Sequence, residues 1–116
     1  MVTAYSKGKE GERLAALWLR LKGYRIIAER YKTPYGEIDL VAKRGSLIAF
    51  IEVKATKTVN DGLYAITPRQ QQRIANAAQI WIQENAANDE LDYRFDALIV
   101  AKGIAPQHIT NAWQVE

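Results

Sequence analysis

Asp39, Glu52 and Lys54 lie inside the two most strand-like runs of the chain, Glu37 to Ala42 and Leu47 to Lys54. Core strands are built from apolar residues, so two carboxylates and an ammonium there need a reason beyond solubility. Side chains alternate between faces along a strand. Glu37, Asp39 and Val41 therefore share a face, and so do Ile48, Phe50, Glu52 and Lys54. An antiparallel hairpin folded about Arg44 and Gly45 places Asp39 near positions 50 to 52. Asp39 and Glu52 then converge at the open end of the hairpin. Two carboxylates that close repel each other and do not both ionise without a cation. A hard divalent ion such as Mg²⁺ or Mn²⁺ resolves the conflict, because it accepts one or two carboxylates and leaves its other positions to water and phosphate oxygens. Lys54 points into the same site, where it could steady a phosphate charge or hold an attacking water. The alternative is a surface Glu52–Lys54 ion pair worth about 0.2–1 kcal/mol. The runs LIAFI and LIVA weigh against it, since they read as strands covered on both faces.

These residues need elements to position them. Leu14, Leu17, Trp18 and Leu21 recur at three- and four-residue steps, which predicts an amphipathic helix from about Ser6 to Lys22 with Gly23 as its stop. Tyr24 to Tyr31 is aromatic and β-branched enough for a strand, and the hairpin follows. Residues 56 to 64 are polar and contain glycine, and read as a loop. Thr67-Pro68-Arg69-Gln70 carries a Thr N-cap, Pro at the first helical position and Gln three residues after the cap, the pattern of a capping box. A helix is expected from there to about Asn88, with Ile74, Ala78, Trp81 and Ile82 inward. Tyr93 to Ala101 reads as a buried strand and Ile109 to Val115 as a short last strand. The order α-β-β-β-α-β-β predicts an α/β fold, with a central mixed sheet flanked by helices.

Composition sets outer limits. The chain has 116 residues, 48% hydrophobic and 25% charged, which suits one domain spanning 1–116. There are no cysteines, so disulfides and thiolate metal sites are excluded, in keeping with a cytoplasmic location. No apolar stretch approaches the roughly 20 residues that span a bilayer, and no secretory leader is evident, so no membrane role is expected. The net charge of +3 and pI near 9.2 permit a polyanionic partner.

An acidic residue on a leading helix, then an Asp, then Glu-x-Lys on the next strand resembles the PD-(D/E)XK nuclease superfamily. Ile38 stands where the strict motif has Pro. More closely, the chain resembles the YraN-like family of small uncharacterised bacterial proteins. The match is carried by Gly11-Glu12, Gly36-Glu37-Ile38-Asp39-Leu40-Val41-Ala42, Phe50-Ile51-Glu52-Val53-Lys54, Ile66-Thr67-Pro68 and Arg94-Phe95-Asp96. Gln70-Gln71-Gln72 stands where a Lys early in the second helix would be expected, which leaves Lys54 as the catalytic cation. The resemblance implies a restriction-endonuclease-like core and Mg²⁺- or Mn²⁺-dependent phosphodiester hydrolysis, with DNA as substrate, branched or damaged forms included. It implies Asp39, Glu52 and the Val53 carbonyl as metal ligands, Lys54 as the residue that orients water, and Glu12 reaching the site from the first helix. Junction-resolving relatives are dimers, so a homodimer would suit a two-fold substrate.

Each remaining candidate has a plain reading beside the functional one. Glu12 could simply favour its helix dipole. Glu37 could support Asp39 or be a solvated strand-end charge. Gln70, Gln71 and Arg73 open the second helix, whose N-terminus could receive a phosphate helped by Arg69, with Lys57 on the same rim, or all could be a polar surface. Lys43 and Arg44 read as turn-solvating charges. Tyr35 and Tyr64 could stack on bases, though packing is the simpler role. Trp18, Trp81 and Trp113 read as core, Asp96 as the ion-pair partner of Arg94, and His108 as a loop residue outside any site. Besides a nuclease, two functions stay open: a nucleic-acid-binding domain without turnover, and a protein-interaction module.

Overall fold

A computed structural model describes residues 4–85 and 90–115. Helix α1 (Ala4–Leu21) leads into β1 (Arg25–Lys32), β2 (Glu37–Arg44) and β3 (Leu47–Thr56). Two helices follow, α2 (Val59–Ala65) and α3 (Pro68–Asn85), then β4 (Asp92–Ala101) and β5 (Gln107–Ile109). The five strands form one mixed sheet in the order β1-β2-β3-β4-β5. Only β3 and β4 pair in parallel, and a parallel pair needs a crossover, which α2 and α3 provide. This is a restriction-endonuclease-like α/β core.

Each face of the sheet carries its own core. On one face Ile74, Ala77, Ala78 and Trp81 of α3 cover Val41, Ile48, Phe50, Ala97 and Ile99. On the other Ala15, Ala16 and Leu19 of α1 cover Leu40, Ala42, Ala49, Ile51 and Leu98. Central strands buried on both sides account for the unbroken apolar runs. Trp81 and Trp113 are buried, and Trp18 packs half-buried under α1.

Four expectations need correcting. The leucine spacing in α1 marks the wrong face: Leu14, Leu17 and Leu21 are exposed, Leu21 by 73%. The buried face is Gly11, Ala15, Ala16 and Leu19, mostly small residues that let the helix lie close on the sheet; a Cβ on Gly11 would sit 3.6 Å from that of Ala55. The expected loop at 56–64 contains α2, capped by Thr58, whose hydroxyl accepts from Asp61 N–H at 3.1 Å. Its Gly62 is a packing residue, since a Cβ there would meet Ile99 Cγ2 at 2.6 Å. The last strand is Gln107–Ile109 and not Ile109–Val115, because Asn111 takes a left-handed φ of 51° and the chain turns back, with Ala112 N–H donating to Phe95 O. His108 lies in that strand and not in a loop. The expected end of α3 near Asn88 falls outside the described residues.

Gly23 ends α1 with φ 91°, and Gly45 takes φ 61° in the two-residue turn between the paired Arg44 and Leu47, as expected.

Candidate active site

The β2–β3 ladder pairs Leu40 with Ile51, one step from Asp39 and Glu52. Beyond that pair the ladder opens, and side chains replace backbone bonds. Asp39 Oδ2 accepts from Val53 N–H at 2.8 Å. The N–H and C=O of one strand residue point to the same edge, so the Val53 carbonyl faces Asp39 as well. Glu52 Oε1 lies 3.4 Å from Lys54 Nζ and accepts from Gln70 Nε2 at 3.2 Å. Asp39 and Glu52 both line the same cavity, close enough for the charge of Asp39 to act on Glu52. Glu52 is only 6% exposed.

The electrostatics follow from that crowding. Burial raises the pKa of Asp39, and the negative Glu12 raises it further, while the Val53 N–H opposes both. Burial raises the pKa of Glu52, and the neighbouring Asp39 adds to this, against the pull of Lys54. Both carboxyls therefore sit above their usual range: one buried and one half-buried acid held together without enough positive charge.

α3 completes the far wall. Thr67 caps it, its hydroxyl accepting from Gln70 N–H at 3.2 Å. A full capping box would send the Gln70 side chain back to Thr67. Here that side chain goes to Glu52 instead, so the cap residue is diverted into the site. Gly36, Glu37, Asp39, Glu52, Thr67, Arg69, Gln70, Arg73 and Ile74 line one cavity of about 650 Å³. It has an acidic floor and Arg69 and Arg73 on its rim.

The sequence-predicted residues divide by place. Asp39, Glu52 and Lys54 come together, with the Val53 backbone. Glu12 acts on Asp39 through its charge, and its Oε2 is held 2.7 Å from Arg30 Nε. Glu37, Arg69 and Arg73 line the cavity. Gln71 turns away, donating to Ile66 O at 3.1 Å. Lys57 lines a separate groove beside Gly11 and Lys102.

One participant was invisible in the sequence, and so was the contact made by another. Arg30 takes a left-handed φ of 49° inside β1, a conformation that costs a non-glycine residue about 1–3 kcal/mol, and it holds Glu12. Only the reach of Arg30 to a residue eighteen positions earlier reveals it, and no local pattern signals that contact. Gln70 was visible as a cap, but its contact with Glu52 was not.

The donor set fits a hard divalent ion. It is all oxygen, partly buried and over-supplied with negative charge. Among the described residues no three acidic or histidine side chains form a closed cage. The fit is therefore to the open kind of site, in which one or two carboxylates leave room for water and phosphate.

Residues 11–100 match the family model described as uncharacterised protein family UPF0102. A UPF0102 protein of Nitrobacter winogradskyi is 48% identical over 112 residues, covering 97% of this chain and 95% of its own length. One from Bradyrhizobium diazoefficiens is 50% identical over 112 residues, covering 97% and 84%. One from Rhodopseudomonas palustris is 52% identical over 112 residues, covering 97% and 86%.

Proposed function

The chain belongs to the uncharacterised protein family UPF0102, the YraN family within the PD-(D/E)XK superfamily, and we propose that it is a divalent-cation-dependent nuclease acting on DNA. One observation carries the reading: half-buried Asp39 and buried Glu52 line one cavity with Arg69 and Arg73, and Lys54 Nζ lies 3.4 Å from Glu52 Oε1 behind them. A site that only bound DNA would need basic residues and would have no use for an acidic pair.

Asp39, Glu52 and the Val53 carbonyl would hold the cation. When bound, it would supply charge neutralisation on the phosphoryl oxygens and a more acidic water. The chain's own groups do the rest. The Val53 N–H and the Gln70 amide fix one oxygen of each carboxylate, so the acids are preorganised before substrate arrives. Arg30 fixes Glu12 within the field of Asp39. Lys54 stands on the same face as Glu52 and offers its ammonium to an attacking water or a phosphate oxygen. Arg69 and Arg73 hold neighbouring phosphates at the rim.

The test is a cleavage assay on flapped, branched and single-stranded DNA. Mg²⁺ and Mn²⁺ should support cleavage, and Ca²⁺, with its longer and looser coordination, should not. Asp39→Asn and Glu52→Gln should each abolish it. Binding without cleavage by the parent chain, across metals and pH, would reject the nuclease and favour a non-catalytic DNA-binding domain.

A further inference from the structure

Tyr35 is 59% exposed, yet it does not sit on a loose loop. Thr33 ties the β1–β2 turn together. Its N–H and hydroxyl both donate to Gly36 O, at 2.9 and 2.8 Å, and its hydroxyl oxygen accepts from the N–H groups of Tyr35 and Gly36, each at 3.1 Å. The turn is then clamped to α3. Arg73 Nε donates to Tyr35 O at 3.1 Å, and a Cβ on Gly36 would lie 2.9 Å from Arg73 O, so only glycine permits the approach. The backbone that carries this exposed aromatic ring is thus fixed.

Its position is specific. Arg73 and Gly36 line the acidic cavity, and Tyr35 lines the next groove along α3, of about 420 Å³, with Asn76, Gln79, Ile80 and Gln83. That groove has no charged lining. It offers one aromatic face, one aliphatic side chain and a row of amides. Phosphates are served by Arg69 and Arg73 next door; the groove suits a flat, apolar, hydrogen-bonding group. A nucleobase has that chemistry, and it can reach the ring only where it is not paired within a duplex.

We propose that Tyr35 is a stacking platform for an unpaired base next to the phosphate held over Asp39 and Glu52, and that the α3 groove carries the single-stranded continuation of the substrate. This rests on the nuclease reading and narrows its substrate to DNA with an unpaired segment beside the cut.

The test measures binding by the full chain in Ca²⁺, so that cleavage does not intervene. A single-stranded oligonucleotide carrying 2-aminopurine and a blunt duplex of equal length are compared. The parent chain, Tyr35→Phe and Tyr35→Trp should bind the single strand and quench its fluorescence. Tyr35→Ala should lose the quenching and weaken single-strand binding by about 5- to 100-fold, the range for one lost stacking contact, with duplex affinity unchanged. Tyr35→Ala that matches the parent on single strands, or weakens both DNAs alike, would overturn the platform while leaving the cleavage result untouched. A parent chain that binds neither DNA would overturn the platform together with the nuclease reading.

Discussion

In the proposed nuclease Lys54 would act directly on the reaction, and its substitution would separate chemistry from binding. On that proposal its ammonium would serve the transition state, whereas Arg69 and Arg73 would serve the ground-state complex. Lys54→Ala should lower the cleavage rate about 10²-fold or more, on the scale of one lost transition-state donor, with DNA affinity retained. Equal losses of rate and affinity, measured by single-turnover kinetics beside equilibrium binding, would make it a rim contact. Asp39 gives a prediction of opposite sign for stability. Its folded pKa lies above the unfolded value of about 4. The folded chain then binds protons more tightly, so stability falls as pH rises from that value through the raised folded one. Asn keeps an acceptor for the Val53 N–H and removes the charge. Metal-free Asp39→Asn should therefore melt above the parent at pH 8, by roughly 3–6 °C for each kcal/mol gained, and the difference should shrink toward pH 4. Added Mn²⁺ should raise the melting temperature of the parent and not of the variant. A variant less stable than the parent at pH 8 would contradict the picture of two under-neutralised acids.

The elements show what was legible in the chain and what was not. The hairpin was legible because alternation and one glycine turn fix which residues face each other, and this sufficed to bring Asp39 to Glu52. The buried face of α1 was misread because three leucines outweigh Gly11, Ala15 and Ala16 on a hydrophobicity count, although closeness to the sheet selects the small residues. α2 was read as a loop because Gly62 looks like a breaker, when its missing Cβ is what lets Ile99 approach. Contacts such as Arg30 to Glu12 and Gln70 to Glu52 join residues eighteen positions apart, through backbone geometry that no local pattern encodes. α3 carries the prediction for DNA. Arg69→Ala combined with Arg73→Ala removes two rim charges at its first turns. Binding should weaken on all sequences alike, and the salt dependence should flatten by about one to two units of slope. Sequence-dependent loss in a salt titration would argue instead for base readout.

A second polar network, which the sequence showed only in part, lies on β4 beside the site, with Asp96 in register with Ile51. Arg94 pairs with Asp96 through two bonds of 2.7 Å, as its neighbourhood suggested. His108 Nε2, at 2.8 Å, and the Asn111 N–H, at 2.9 Å, complete the carboxylate, and Lys22 Nζ lies 2.6 Å from His108 Nδ1. The end of α1, β4 and β5 are joined through one fully buried carboxylate. Burial alone would raise the pKa of Asp96, but the bonds from His108, Arg94 and Asn111 outweigh it and hold it below the usual range. A depressed folded pKa gives stability that is present above the unfolded value of about 4 and is lost as pH falls through the folded one. Asp96→Ala should cost about 3–5 kcal/mol near neutral pH, because it leaves buried donors without their partner. Its deficit should narrow in acid, as melting curves across pH would show. The raised pKa values of the acidic cavity and the lowered one of this network give stability opposite pH dependences: the network serves the fold, and the cavity is the site proposed for a cation. A crystal grown with Mn²⁺ and measured at the manganese absorption edge decides that last point. A single strong anomalous peak at bonding distance from the carboxylates of both Asp39 and Glu52 is the predicted result. A peak elsewhere, or none there at millimolar Mn²⁺, would contradict the cation site on which the nuclease reading stands.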